Sequence, residues 1–189
     1  MILREKIITI NKNKYMYNGE NKHLKDIVNK VKKNKKANFI ILDEELYIKE
    51  YYTIKKAEVK NIINNEVKNE FNNDDYLIHF DIDRKNNKTF IYAIKGGNKI
   101  DPFIRYVRKI KVNPIQFILI KFLKEKIKKR DFKSLVDVNG KYYFIKVSNG
   151  FIIKSSIHLS NEEFFLLKDI ILAKFEFPYK KQNLIIGER

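Results

Sequence analysis

Cysteine is absent from this 189-residue chain. That excludes a disulfide framework, a thiolate zinc site and a cysteine nucleophile, and it fits a reducing compartment. Glycine and proline are also scarce, at 6 and 3 residues, which excludes collagen-like and proline-rich linker classes. No long apolar run is present. The stretch 117–123 is interrupted by Lys121 and falls far short of the ~20 residues that span a bilayer. Arg4, Glu5 and Lys6 follow Met1 too closely for a secretory signal. The expectation is a soluble cytoplasmic chain.

What is abundant is lysine, isoleucine and asparagine, with 34, 30 and 21 residues against 4 alanines. The balance of 40 Lys+Arg over 23 Asp+Glu gives a net charge of +17. Charge of that sign suits phosphate, but only 6 of the 40 cations are arginine, the residue fitted to bidentate phosphate and guanine contacts. The densest clusters, 30–36 and 124–130, fall at the ends of predicted helices, where cations complement the negative dipole end. Solvated helix ends account for most of this charge. Weak attraction to anionic lipid or to an acidic partner is the next reading, and sequence-specific nucleic-acid binding is disfavoured. With 44% hydrophobic and 13% aromatic residues in patterned positions, the chain has material for a core.

Apolar periodicity predicts strands at 4–10 and 14–17, a helix over 22–34 and a buried strand at 38–42. A Tyr- and Ile-rich strand at 46–54, a helix over 56–70, strands at 76–82 and 89–94 and a helix around Ile100–Val107 follow. A short strand at 113–117 and a helix to about 129 complete the middle. In the last third, Asn139-Gly140 and Asn149-Gly150 supply the positive φ angles of two-residue hairpins, so 135–138, 141–147 and 151–159 form an antiparallel meander. Ser160-Asn161-Glu162-Glu163 reads as a capping box opening a helix that carries Phe164, Leu167, Ile170 and Ile171, before a final strand at 183–186.

Three antiparallel strands, a helix and a strand thus close the chain, and the N-terminal segment repeats that order in reduced form. Between the copies lies a strand-helix-strand-strand-helix insertion. Two ribonuclease H-like halves with an insertion in the first is the plan of the actin-like fold. The expected class is therefore α/β, actin-like, degenerate and shortened, with a first half at 1–45, an insertion lobe at 46–111 and a second half at 112–189.

Four segments stand in succession: Ile41-Leu42-Asp43-Glu44-Glu45-Leu46, Lys49-Glu50-Tyr51-Tyr52-Thr53-Ile54, the helix with Ile62, Ile63 and Glu66, and Phe90-Ile91-Tyr92-Ala93-Ile94. Their order and apolar pattern resemble the PilM/GspL family of actin-like cytoplasmic proteins of type IV pilus and type II secretion machines. Lys111-Val112-Asn113-Pro114-Ile115 stands where the family links to its second half, and Leu135-Val136-Asp137-Val138 with 149–153 resembles the hairpins that follow. The resemblance implies a non-enzymatic scaffold, peripheral to the inner face of the cell membrane. It would bind the cytoplasmic tail of a bitopic membrane partner, docked between the insertion lobe and the first half along a strand edge, and contact the assembly ATPase.

The chain departs from the family at the nucleotide turns. A D-x-G-type turn lets backbone amides approach phosphates. Here Thr9-Ile10-Asn11-Lys12-Asn13 has neither the Asp nor the Gly. Asp137 is present in the second half, but Asn139 stands in the glycine place, with Gly140 one position late. Gly187 alone remains of an adenosine-binding glycine set. Asn11, Asn13, Asp137, Asn139, Gly140 and Gly187 are thus positions of a degenerate site, with ATP binding expected to be weak or absent and no other cofactor called for. An ATP-binding actin-like protein and a basic ribonuclease H-like nucleic-acid protein are the alternatives.

Other chemistry is thin. His79, Asp81 and Asp83 share one strand face but read as a polar side rather than a metal set. Glu58/Lys60 and Glu66/Lys68 lie on a helix, where i,i+2 residues diverge. Ser155, Ser156 and His158 lack a nucleophile elbow, His23 has no nearby partner set, and no P-loop occurs. The crowded tyrosines Tyr47, Tyr51 and Tyr52 are the candidate partner-binding residues, since tyrosine joins a large apolar body to a polar tip.

Overall fold

The computed structural model describes residues 7–32, 36–53, 55–71, 75–164, 167–177 and 185–188, the last four through their backbone alone. Residues 4–6 of the first expected strand and 183–184 of the last lie outside the described residues.

Two five-stranded sheets share one plan. The first has β1 (Ile7–Asn11), β2 (Lys14–Tyr17), β3 (Glu20–Asn21) and β4 (Lys36–Ile41), with α1 (Leu24–Lys32) before β4. It is completed by a strand far along the chain, β8 (Lys109–Pro114), in the order β3-β2-β1-β4-β8. The second has β9 (Phe132–Val138), β10 (Lys141–Ser148), β11 (Phe151–His158), β12 (Ile170–Lys174) and β13 (Ile185–Glu188), in the order β11-β10-β9-β12-β13. In each, three antiparallel strands are followed by one parallel to the first. The first half is fuller than its sequence suggests. Asn18 and Gly19, at φ 49° and 86°, fold back a two-residue β3 that is too short to show periodicity.

The fifth strands differ between halves. β8 runs parallel to β4, whereas β13 runs antiparallel to β12. Connection length explains this. Residues 42–108 lie between β4 and β8, but only 175–184 join β12 to β13, and a parallel return needs a dozen residues or more.

The insertion holds β5 (Tyr47–Tyr51), β6 (Tyr76–Asp83) and β7 (Lys88–Lys95) in the order β5-β7-β6. A helix precedes β6. It runs as α2 (Lys56–Ile62), one π turn (Ile63–Val67) and α3 (Lys68–Glu70). After β7 the expected helix shrinks to α4 (Asp101–Ile104). The expected strand at 113–117 is shifted: β8 takes 109–114, and α5 (Ile115–Ile127) starts directly behind Pro114, whose fixed φ suits the residue opening a helix. α5 ends where Lys128 turns left-handed at φ 56°.

One apolar core runs through both halves. α5 is its shared wall, burying Ile115, Leu119 and Leu123 at i, i+4 and i+8, each worth about 1.5–3 kcal/mol.

The helix expected from the capping box does not form among the described residues. Ser160 Oγ does accept the Glu162 amide at 3.2 Å, but one 3-10 turn (Glu162–Phe164) is all that follows. Phe164 instead lies on the sheet, stacked on Phe144 at 5.3 Å. Ile170 and Ile171 belong to β12, so the helical spacing of those apolar residues came from two different elements. The outer face of the second sheet is consequently covered by a loop rather than a helix.

Candidate functional site

The positions expected from sequence to be degenerate nucleotide turns fall in the β1–β2 and β9–β10 hairpins. Between β1 and β2, Lys12 adopts φ 53°, a conformation costly outside glycine. Its amide donates to both carboxylate oxygens of Asp43, at 2.8 and 2.9 Å. Asp43 follows β4, and the Leu42 amide before it donates to the Ile10 carbonyl at 2.9 Å. An internal carboxylate therefore occupies the turn amide that an anionic ligand would need. The second half repeats the device. Asn139 and Gly140 take φ 54° and 79°, and the Gly140 amide donates to Asp137 Oδ1 at 2.8 Å. No atom stands within 4 Å of where a Cβ on Gly140 would lie, so turn geometry rather than close approach requires this glycine.

Tyr143 on β10 joins the halves, its hydroxyl donating to the Leu42 carbonyl at 2.5 Å. Burial, then the nearby Asp43 carboxylate, holds its phenol above the ordinary value. Asn11 closes the β1–β2 ladder opposite Lys14, Asn13 is exposed, and Gly187 lies inside β13 opposite Leu172. Asn11, Asn13 and Asp43 thus meet at one turn, Asp137, Asn139 and Gly140 at the other, while Gly187 belongs to a strand.

A second feature lies between the insertion and the first half. A groove of about 310 Å³ runs between the β6–β7 face and β8 with the start of α5. Leu46, Leu77, Tyr92, Val112 and Phe117 make it apolar, and His79 stands at its rim. The Tyr92 ring meets Phe117 edge-on at 5.2 Å, and His79 packs against the same Phe117 at 5.5 Å. The Tyr92 hydroxyl donates to the Ile152 carbonyl of the second half at 3.3 Å, and burial raises its pKa.

Both strands beside this groove are outermost in their sheets. Alternate backbone amides and carbonyls of β6 and β8 therefore point away from their neighbours. β5, the other edge of the insertion sheet, packs against β11.

Tyr47, Tyr51 and Tyr52 lie on or just beyond β5, across β7 from the groove. Tyr47 donates to Glu70 at 2.8 Å and packs edge-on against Phe71; burial and that hydrogen bond push its pKa up to about 12. Lys49 stands 5.6 Å from the Tyr51 ring, and Lys88 stands 5.1 Å from that of Tyr52, which is 76% exposed. His79 and Asp81 pair at 3.2 Å, while Asp83 is turned into its own β-turn, accepting from Asn86 Nδ2 at 2.6 Å. Among the described residues no three His, Cys, Asp or Glu side chains cluster as metal ligands. Ser156 bonds His158, whose other ring nitrogen pairs with Glu163, so that histidine braces the 160–164 turn.

No sequence motif marks the groove residues as a group. The available signal was Lys109-Ile110-Lys111-Val112, an alternation with lysines outward, as edge strands carry. Among the described residues no helix is long and apolar enough to cross a membrane.

No family model and no curated protein sequence matches this chain. Solved structures do. A chain of the PilM–PilN type IV pilus biogenesis complex superposes with a TM-score of 0.53 at 8% identity, over 84% of this chain and 59% of that one. The cytoplasmic domain of EpsL, an inner membrane component of the Vibrio cholerae type II secretion system, gives 0.47 at 8% identity over 81% and 70%. A Bacteroides thetaiotaomicron protein with an actin-like ATPase fold and unknown function gives 0.48 at 12% identity over 86% and 74%. The paired sheets, the inserted lobe and the first of these likenesses make the fold actin-like.

Proposed function

We propose that this chain is a non-enzymatic scaffold in the assembly platform of a type IV pilus or a type II secretion-like machine. It holds the cytoplasmic tail of a bitopic inner-membrane partner and links that partner to the assembly ATPase. The observation that supports this reading is the apolar groove flanked by two open strand edges, β6 and β8, on a fold that resembles a chain of the PilM–PilN complex. An extended peptide added to either edge gains main-chain hydrogen bonds, and its alternate side chains enter the apolar floor. β6 has eight residues and β8 six, which suits a tail segment of similar length.

The occupied hairpin turns support a scaffold over an ATPase. For a phosphate to take the Lys12 amide it must displace the Asp43 carboxylate, which is also a like charge. Saturating Mg-ATP is therefore expected to move the melting temperature by less than about 1 °C, since a ligand present at a hundred times its Kd adds ~2.7 kcal/mol. A shift of several degrees would restore the nucleotide-binding alternative.

The partner claim is tested by affinity capture from source-cell membranes. The wild-type chain should retain a single-span membrane protein. Val112→Lys, which places a charge in the groove, should lose it while melting within a few degrees of wild type. Tyr52→Ala, beyond the opposite edge, should keep it. Loss with Tyr52→Ala and retention with Val112→Lys would move the site to β5, and capture of no membrane protein by the wild type would end the reading.

A further inference from the structure

The register of the second sheet places lysines opposite one another on three successive strands. Lys133 on β9 pairs with Lys146 on β10, and Lys146 pairs with Lys154 on β11. Directly paired residues project from the same face, so the three side chains form one row, ~10 Å long at about 4.8 Å per strand. Lys146 and Lys154 are exposed and Lys133 is half-buried. None of the three forms an ion pair with a described residue. Like charges directly opposite oppose pairing, so the sheet carries this row at a cost that an external anion would relieve.

The surroundings extend the basic character. A hollow of about 560 Å³ beside the row is lined by Lys129, Lys133 and Lys146, with Asp131 and Asp169 as its acids. Asp131 is engaged inward, accepting from Ser148 Oγ at 3.0 Å and from the Asn149 amide at 2.9 Å. Next along the same face comes the patch left without a helix. A hollow of about 390 Å³ there has buried Leu135, Phe164 and Ile170 as its floor, half-buried Leu172 and Leu167, itself 41% exposed, as its accessible apolar groups, and Asn161, Lys168 and Asp169 as its polar ones.

We propose that this face seats the chain on an anionic lipid bilayer. A row of separate cations on a sheet matches negative charge spread over a plane better than one carboxylate. The adjoining apolar hollow suits the boundary between headgroups and acyl chains. Lysine fits such a surface, because it acts as a hydrated point charge and makes no demand for a planar, bidentate partner. The inference rests on the platform reading only for the source of the bilayer, and it assigns the surface that faces it.

The test is sedimentation of the full chain with phosphatidylcholine vesicles, with and without phosphatidylglycerol. Binding should require phosphatidylglycerol and weaken with salt. Lys133→Gln/Lys146→Gln/Lys154→Gln should lower the partition coefficient on the order of a hundredfold, about fivefold per lysine. Lys56→Gln/Lys60→Gln/Lys68→Gln on the insertion helix removes the same charge and should change binding by less than about twofold, because those exposed lysines lie off this face. Equal losses in the two triple variants, or equal binding to both vesicle types, would overturn the proposal. So would a row that controls retention of a DNA duplex while vesicles do not bind. Capture of the membrane partner should survive the 133/146/154 substitutions, and Val112→Lys should keep vesicle binding, so failure here leaves the groove reading standing.

Discussion

Replacing Tyr143 with phenylalanine removes one oxygen from the joint between the halves, and its consequences change with pH in a calculable way. At neutral pH the variant loses the bond to the Leu42 carbonyl and leaves that buried acceptor without its partner. Such a loss costs about 1–3 kcal/mol. For a chain of this size each kcal/mol is ~2–4 °C, so the melting temperature should fall by roughly 2–12 °C.

Alkaline pH reverses the comparison. Burial raises the folded-state pKa of Tyr143 above the ordinary 10, and Tyr92 is shifted the same way for the same main reason. Above pH 10 the unfolded chain releases these phenolic protons while the native state still holds them. The native state then binds more protons, so stability falls as pH rises, by up to about 1.4 kcal/mol per pH unit for each group. The contribution is whole below pH 10 and is lost as pH climbs toward the raised folded value. Tyr143→Phe lacks one of these groups. Its deficit should therefore shrink above pH 10 and vanish within about one to two units, at ~1.4 kcal/mol per unit. Urea unfolding followed by circular dichroism at pH 8, 10 and 11 measures it. A deficit that stays constant across those pH values would show that the hydroxyl titrates as an exposed phenol, and the closed joint would be refuted.

Other outcomes follow from the same contacts. Asp43→Ala removes the acceptor of the left-handed Lys12 amide and should cost about 1–2 kcal/mol, whereas Asp43→Asn keeps one oxygen and should cost roughly half of that, read by urea midpoint. Phe164→Ala uncovers Phe144 and breaks the edge-on contact with His158, so it should destabilise by ~3 kcal/mol in the same assay. Gly140→Ala should cost about 1 kcal/mol for the positive φ alone, because its Cβ meets open space.

Local chemistry was the legible part of the fold. The Asn139-Gly140 and Asn149-Gly150 hairpins and the 56–70 helix were readable because turn residues and a 3.6 period act within a few positions. The actin-like order was readable because the strands recur in the same succession. What escaped notice depends on distant residues. β8 is a strand because β4 offers it an edge 73 residues earlier, and the helix expected after Ser160 yields to β12 because β9 pairs with Ile170–Lys174. The same division holds for the site. Departures from the phosphate turns could be read residue by residue, but Asp43 as their occupant could not, since 31 positions separate it from Lys12. Nor could the groove's lining, since its walls come from Leu46, Leu77, Tyr92 and Val112, far apart in the chain.

The two hairpin turns decide what the junction can do. A turn with free amides is a concave source of positive charge, suited to a ligand that comes and goes. Here Asp43 and Asp137 accept those amides, and Tyr143 ties the end of β4 to the second half. Opening the halves would expose the Leu42 carbonyl and part the shared core across α5, so rigid union is favoured over a hinge. The chain's other surfaces include the β6 and β8 edges and the lysine row on the outer face of the second sheet. These lie on different sheets, so one can hold a protein strand while the other faces a second surface.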